Sequence, residues 1–319
     1  MYASDTSFVT LTNSGTEVAR LQLTHSNPVM KNNENRFLTY GIGSASYEIS
    51  SFDETLYSGN AENKIYTGDV ASNGTYCLVT EDNGYLTTLY AYSKNNNRIY
   101  KYSFSEYYIT SVAINKDGSG CVAAGVSSDK GSAVTGVYVL DFSQEKPVST
   151  YKISGDSVLD CKYLTSDTAV LVGSQASYIV KKGEKNYKTV SYEDKTLSNY
   201  CFNTDTSTYT MALSRSGDGR SVALISYNSN GEAQYTINTE HKADSLSVYK
   251  GTVAILDGNV VYGYNQKGDL LYSTNSGTGS KKIVLASDYT AYILSVNQIR
   301  FIDLDSVSSD DTAQTSKQE

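Results

Sequence analysis

The sequence contains very little histidine, and this scarcity limits the chemistry available to it. Only His25 and His241 occur among the 319 residues. A metal site built on histidine would need Asp, Glu or Cys ligands that converge on one of them, and no such spacing is present. Both histidines lie in polar stretches (SNP follows His25, and TEHKAD surrounds His241) and are interpreted as surface-loop residues. We therefore expect neither a metal nor a cofactor.

Long apolar runs and basic clusters are also missing. No stretch of 18 apolar residues occurs, so nothing in this sequence predicts a membrane span. The formal net charge is −8, without a basic stripe, which argues against a nucleic-acid partner and against electrostatic docking on an anionic membrane. The opening MYASDTSFVTL resembles the middle of a repeat. We expect that a natural N-terminal segment, with any targeting signal, precedes it.

Motifs of nucleophilic, nucleotide and calcium chemistry are absent or weak. No GxSxG sequence occurs, and the GIG at 41–43 is not followed by a helical pattern. Residues 203–207 (NTDTS) and 216–220 (SGDGR) resemble calcium loops only loosely, because neither matches DxDxDG. No catalytic residue can be assigned from these patterns.

Carboxylates do not form a recognisable catalytic pair either. Asp69 and Asp160 fall on predicted inner strands, where they would line the channel of a propeller. Loop acids such as Asp53 and Glu54 are interpreted as solvated hairpin charge. A glycosidase would need two carboxylates that flank one bond, and the sequence alone does not single out such a pair.

The four cysteines follow the spacing of a repeat rather than that of a metal site. Cys77, Cys121, Cys161 and Cys201 are separated by 44, 40 and 40 residues. Equivalent strands of neighbouring blades are too far apart for a disulfide, which needs Cα atoms within about 7 Å. The cysteines are therefore interpreted as small core residues.

Tyrosine is abundant, with 29 residues against no tryptophan, and it favours half-buried strands. Residues 109–154 contain four short β-like runs separated by turn chemistry, and weaker copies recur about every 43 residues from Ile65 to Lys281. That period is typical of a four-stranded propeller blade. Asn-Gly and Asp-Gly pairs between the runs suit tight hairpins. The second run of each copy is almost continuously apolar, as in a strand buried on both faces; these runs are 36–40, 75–80, 120–125, 168–172, 208–213, 252–256 and 290–294.

The repeats predict an all-β fold, a propeller of seven four-stranded antiparallel blades in one domain over residues 1–304. The last copy, 281–304, lacks a fourth strand, so we expect residues 18–23 to supply it and both termini to close the last blade. Residues 8–11 then compete with 299–303 for one place, so either the last blade has an extra strand or an intact parent has an eighth blade whose start is missing here. Residues 305–319 are polar and aperiodic, as in a disordered tail.

The stretches 65–93, 108–125, 137–142 and 246–271 carry a family resemblance. Their pattern resembles WD40-like and quinoprotein-like propellers and, more narrowly, a bacterial propeller family of unknown function. Members of that family usually follow an N-terminal transmembrane helix, so the resemblance implies an extracytoplasmic, membrane-tethered propeller. The Trp-Asp and Gly-His signatures of WD40 proteins are missing, as are the tryptophan motifs of quinoprotein dehydrogenases, so a quinone cofactor is not implied.

The leading functional hypothesis is a non-enzymatic, extracytoplasmic binding or scaffold module, monomeric, with a protein or a cell-wall carbohydrate as its partner. One alternative is a carbohydrate-active hydrolase or lyase at a propeller mouth, and another is an intracellular WD40-like interaction scaffold. Tyrosines lie near loops (85, 107, 108) and on predicted outer strands (100, 102, 151, 187, 192). Their rings could stack on sugars, but they could equally cover the outer strands with an apolar ring while the hydroxyl stays in water. Differences between copies, such as segments 126–135 and 203–208, are where specificity is expected.

Overall fold

The computed structural model describes residues 1–4, 6–12, 14–25, 27–214 and 220–304. Regular structure in this part of the chain consists of thirty β-strands in eight antiparallel sheets. No helix in it has the length and hydropathy that a bilayer crossing requires. The predicted tail, 305–319, and most of the calcium-like segment 216–220 lie outside the described residues.

The chain divides into two compact units, and the first, which extends to Ser191, holds five sheets. One sheet has three strands: β1 (Tyr2–Ala3), β2 (Ser7–Leu11) and β3 (Glu17–Gln22). The others have four strands each: β4 (Pro28–Asn33), β5 (Arg36–Gly41), β6 (Ser46–Ser50) and β7 (Thr55–Asn60); β8 (Ile65–Val70), β9 (Tyr76–Thr80), β10 (Thr87–Tyr92) and β11 (Arg98–Phe104); β12 (Tyr108–Ile114), β13 (Gly120–Asp129), β14 (Ser132–Asp141) and β15 (Ser149–Ser154); β16 (Val158–Tyr163), β17 (Thr168–Gly173), β18 (Ala176–Lys181) and β19 (Lys188–Ser191).

The second unit, from Tyr192 onward, holds three sheets. Two have four strands: β20 (Thr196–Asn203), β21 (Thr208–Ser214), β22 (Val222–Asn228) and β23 (Ala233–Thr239); β24 (Ser245–Tyr249), β25 (Thr252–Asp257), β26 (Val260–Tyr264) and β27 (Leu270–Asn275). The last has three strands: β28 (Ser280–Leu285), β29 (Thr290–Ser295) and β30 (Ile299–Asp303).

Burial on both faces is confirmed for six of the seven predicted second strands and explains why they are apolar throughout; in β29 only alternate residues are buried, and 43% of Leu294 is exposed. In β13, Cys121 and Ala123 pack towards the sheet before it, whereas Val122 and Ala124 pack towards the sheet after it. Because successive side chains of a strand point to opposite faces, both alternating sets need apolar side chains. The same kind of cluster joins each pair of consecutive sheets within the first unit and within the second.

The prediction of seven blades is wrong, because the structure has eight sheets. Residues 18–23 do not complete the last blade; β3 pairs with β2 in an N-terminal sheet of its own. Phe8 and Val9 of β2 are fully buried, as in the second strands of the other sheets. Segments 8–11 and 299–303 therefore do not compete for one place, since β30 is the third strand beside β29.

The interpretation of His25 as a surface residue is also wrong, since only 5% of it is exposed. The preceding residue, Thr24, holds this segment against β6, because its amide and its hydroxyl both donate to Glu48 Oε1, at 3.0 and 2.9 Å. Neither ring nitrogen of His25 has a hydrogen-bond partner among the described residues. Burial lowers the pKa of His25, and the nearby Glu48 carboxylate offsets this only in part. His241, in contrast, stays partly exposed and stacks on Tyr262 with ring centroids 3.5 Å apart.

The interpretation of the cysteines as core residues is confirmed for three of the four. Cys77, Cys121 and Cys161 are buried, Cys201 is partly exposed, and all four are free thiols. Burial raises the pKa of Cys121 well above its ordinary value, and contact with the Cys77 thiol adds to the rise. Burial likewise raises the pKa of Cys161 and of Cys201. Since the thiolate is the reactive form, the buried thiols are protected, and the partly exposed Cys201 is the most accessible of the four.

Acid should destabilise the protein through His25. Above about pH 6.5, the ordinary histidine pKa, His25 is neutral in both folded and unfolded chains. As the pH falls below that value, the unfolded chain takes up a proton that the folded chain resists, so the free energy of unfolding decreases. Urea unfolding at pH 7.5 and pH 5.5 should therefore show a smaller pH-dependent loss for His25→Phe than for the wild type. The control His241→Gln keeps His25 and should behave like the wild type; equal losses in all three proteins would contradict the prediction.

Thiol reactivity should report on burial. In native protein at pH 8, Ellman's reagent should modify Cys201 first and the other three thiols only on the timescale of unfolding, whereas all four should react at once in guanidinium chloride. The variant Cys201→Ser should lose the early phase alone. Rapid native labelling of a second thiol would show that the blade interior opens more readily than its packing implies.

Candidate binding site: an aromatic cavity beside a long hairpin

The first strands of consecutive sheets lie side by side in the first unit. In β8, β12 and β16 the register with the second strand shifts at the same place, after Ile65, Ile109 and Val158. Such bulges re-aim the side chains that follow. The residues just beyond the shift are polar in all three strands, namely Thr67, Ser111 and Asp160.

Asp69 and Asp160, the two acids predicted on inner strands, lie on β8 and β16 and form part of a charged cluster. Lys162 Nζ lies 3.7 Å from Asp69 Oδ1, and Lys31 Nζ on β4 lies 3.8 Å from Asp160 Oδ1. Asp69 also accepts a bond from the Ile114 amide at 2.9 Å. The lysines thus connect strands that belong to non-consecutive sheets.

Electrostatic matching dominates this cluster. Burial is the largest single influence and acts to lower the pKa of Lys31, but the combined charges around it, Asp160 and Asp69 first, raise that pKa. Ser111 Oγ donates to Asp160 Oδ1 at 3.2 Å, and the Cys161 amide donates to the same oxygen at 2.9 Å. Each acid therefore accepts hydrogen bonds from within the protein. This arrangement favours a structural role for the two acids over a role in proton transfer.

The segment 126–135, which we expected to be a variable loop, is instead the tip of the β13–β14 hairpin. These two strands have ten residues each, and no other described strand has more than eight. The turn places Lys130 and Gly131 at φ +52° and +83°, which is typical of a two-residue hairpin turn. Residues 127–133 are exposed, so the hairpin extends beyond the packed part of its sheet.

A cavity of about 480 Å³ opens between the outer strands next to this hairpin. Strand β11 contributes Tyr102, Ser103 and Phe104, and the following segment contributes residues 105–107. Tyr138 of β14 and residues 150–152 of β15 form the other wall. A smaller cavity of about 220 Å³ shares Glu106, Tyr107 and Lys152 and continues along the hairpin past residues 127–129. Three of the tyrosines considered for sugar stacking, at positions 102, 107 and 151, thus come together.

Tyr107 is held in place by a glycine. A Cβ on Gly136 would lie 2.5 Å from two carbons of the Tyr107 ring, so the ring packs directly on the backbone of β14. Tyr138 meets Tyr107 edge-on at 6.1 Å and Phe104 edge-on at 4.9 Å between ring centroids. Both distances lie in the favourable range for aromatic pairs. The wall is therefore a fixed set of rings.

The charges at the rim are unequal. Lys152 Nζ binds Asp129 Oδ2 at 3.1 Å, whereas Glu106 is exposed and has no hydrogen bond or ion pair within the described ranges. Burial raises the pKa of Tyr138 to about 12, and the Glu106 carboxylate adds to the rise. Burial and Glu106 raise the pKa of Tyr102 in the same way. These hydroxyls are therefore protonated donors at neutral pH, beside the exposed Glu106 carboxylate, whose charge also acts on Lys152.

The sequence profile of a family of unknown function, DUF5711, matches residues 2–304. The chain belongs to this family. No curated protein sequence is significantly similar to it. The family resemblance expected from the repeats is confirmed at the level of a WD40-like propeller of unknown function.

Solved structures show the same fold for this DUF5711 chain. The C-terminal WD40 domain of Sif2 superposes with a TM-score of 0.61 at 15% identity, over 85% of this chain and 79% of that one. Chaetomium thermophilum Sqt1, bound to the N-terminus of ribosomal protein L10, gives 0.61 at 10% identity, over 91% and 87%. A eukaryotic initiation factor gives 0.64 at 10% identity, over 95% and 82%. At these identities the likeness concerns the fold alone.

Other residues singled out in the sequence do not join the cavity. Tyr85 and Tyr108 are exposed elsewhere, Tyr100 packs in the core, and Tyr187 packs edge-on against Tyr151. Segment 203–207 forms an ordinary turn in which Asn203 Oδ1 accepts the Thr206 amide at 3.3 Å. No group of three or more metal-ligating side chains occurs in the described part of this DUF5711 chain. The cavity could not be foreseen because its walls come from separate repeats.

Removal of Asp69 should cost far more stability than removal of Asp160. Only 1% of the Asp69 side chain is exposed, against 27% for Asp160. Asp69→Ala leaves Lys162 without its ion-pair partner and the Ile114 amide without its acceptor, and it should lower the free energy of unfolding by about 2–4 kcal/mol. The more solvated Asp160→Ala should cost about 1 kcal/mol. Urea denaturation measures both, and equal losses would mean that burial does not set the strength of these pairs.

Proposed function

We propose that this DUF5711 chain is a non-enzymatic binding or scaffold module that works outside the cytoplasm. The observation that carries the proposal is the cavity of fixed tyrosine rings flanked by the long β13–β14 hairpin. A concave site with aromatic walls and a few polar groups is the usual form of a binding site. The hairpin is also where this repeat departs most from the others, as expected of a specificity element.

The acids of the molecule support binding over catalysis. Asp69 and Asp160 are each held by a lysine, and Asp129 at the rim is held by Lys152. A hydrolase needs two acids free to exchange protons or attack. Glu106 alone meets that condition beside the cavity, so the hydrolase is the weaker candidate.

WD40-like neighbours supply a precedent for partner binding. Sqt1 was solved with the N-terminus of ribosomal protein L10 bound to it, so a propeller with this fold can hold a segment of another chain. The extracytoplasmic location is supported by the resemblance to membrane-tethered propellers, and labelling of intact cells with a membrane-impermeant amine reagent tests it. Labelling only after lysis would favour the intracellular scaffold instead.

Immobilised protein should retain a component of the envelope of the cells that make it. Solubilised envelope proteins and purified wall polymer are applied separately, and retention is measured over a range of concentrations. We expect saturable retention of at least one fraction, and a loss of at least about tenfold in affinity for Tyr107→Ala, because one buried aromatic anchor contributes that much to binding.

Tyr85→Ala is the matched control, since Tyr85 is half exposed and does not line the cavity. It should bind like the wild type. If neither fraction is retained, or if Tyr107→Ala binds as well as Tyr85→Ala, the cavity is not a binding site and the proposal fails.

A further inference from the structure

We propose that the cavity binds an oligosaccharide, as a chain of pyranose rings that stack on its tyrosines. This inference rests on the proposed binding function and names its ligand class. It follows from the chemistry of the lining, the rigidity of Tyr107, the position of the rim charges and the length of the site.

The lining of the larger cavity is rich in hydroxyl groups and contains no aliphatic side chain, and Val134 is the one aliphatic residue that lines the smaller cavity. Of the ten residues that line the larger cavity, nine carry a hydroxyl, a carboxylate or an ammonium group, and Phe104 is the exception. A site for an apolar ligand is lined mainly by hydrophobic side chains. Rings combined with many hydroxyls match a sugar, which has apolar C–H faces and an equatorial rim of hydroxyl groups.

Tyr107 provides a stacking surface that is fixed before any ligand arrives. Its ring rests on the Gly136 backbone and meets Tyr138 edge-on. Rotamer ordering on binding costs affinity, so a pre-positioned ring binds more tightly than a mobile one. Gly136 is thus a positioning residue, because any larger side chain there would push the ring away.

The rim offers both kinds of hydrogen-bonding partner that a sugar hydroxyl needs. Glu106 is an acceptor without a partner of its own among the described residues, and the Lys152 ammonium has three donors, one of which Asp129 engages at 3.1 Å. Glu106 and Asp129 outnumber Lys152 at the rim, so an anionic ligand would be repelled, and an apolar peptide side chain would leave the hydroxyls and Glu106 without partners. The mixed rim therefore suits a hydroxylated ligand without negative charge.

The length of the site indicates a chain of rings rather than a monosaccharide. The volume of about 480 Å³ lies within the range of small-ligand sites. The adjoining space of about 220 Å³ shares Tyr107 and Glu106 and runs beside residues 127–129 of the hairpin. An extended ligand can occupy both spaces, with the hairpin as the wall of its second part.

Affinity gel electrophoresis tests the proposal with glycol chitin, hydroxyethyl cellulose, laminarin and purified wall polysaccharide as separate probes. At least one probe should retard the wild-type protein. Tyr107→Ala, which removes the stacking surface, and Glu106→Gln, which weakens the acceptor, should each raise the apparent Kd by about tenfold or more. Tyr107→Phe keeps the ring and should stay within about threefold. Gly136→Ala removes no functional group but displaces the ring, so it should weaken binding as Tyr107→Ala does.

Tyr85→Ala should migrate like the wild type, and thermal unfolding shows that each variant is folded. The sugar proposal is overturned if no probe retards the wild type, or if Tyr107→Ala is retarded equally. Release of new reducing ends would leave the sugar ligand standing but would overturn the non-enzymatic function, because it would show a hydrolase. If no sugar binds but envelope proteins are still retained through Tyr107, the protein is a binding module with a protein ligand. If neither sugars nor envelope proteins are retained, the proposed binding function fails as well.

Discussion

In every sheet except the last, the second strand is buried on both faces, and the rest of the structure depends on covering it. In β13 the alternating sets Cys121/Ala123 and Val122/Ala124 need different neighbouring sheets, so a single sheet cannot bury its own core. Stability in such repeat proteins comes from interfaces between neighbours. The charged cluster and the candidate site therefore lie elsewhere: the cluster is on the first strands, where bulges turn side chains out of the sheet packing, and the site is mainly on the outer strands and their connections.

The first strands carry charge that is matched within the protein. Lys162 and Lys31 neutralise Asp69 and Asp160 across non-consecutive sheets, and the Ile114 amide binds Asp69 as well. Buried charge is tolerated only when it is paired and hydrogen-bonded. These ion pairs connect several sheets of the first unit. Of the acids in this cluster and around the outer cavity, only Glu106, beside the cavity, has no ion pair in the described part of the chain, so it is the one available to a ligand.

Strands, turns and core cysteines could be predicted because each is a local pattern. Continuous apolar runs identify second strands such as 168–172, and Asp117-Gly118 identifies a turn whose glycine has φ +71°. The number of blades could not be predicted, because β1 has only two residues and a short N-terminal segment can be assigned to either end of a repeat. His25 was misjudged because its burial depends on the bonds from Thr24 to Glu48, which no local pattern encodes. The bulges and the cavity also depend on pairing register and on contacts between repeats.

The position of the cavity also follows from the way in which neighbouring sheets cover one another. Where β13 and β14 run past the packed part of their sheet, no neighbouring sheet covers them, so their side chains at 127–129 become a wall instead of a core. The segment before β12 then places Tyr107 against Gly136, at the only residue type that allows a ring so close to the strand. A lengthened hairpin and one glycine are thus sufficient to convert the gap between two sheets into a walled site, while the buried strands that fix its geometry remain unchanged.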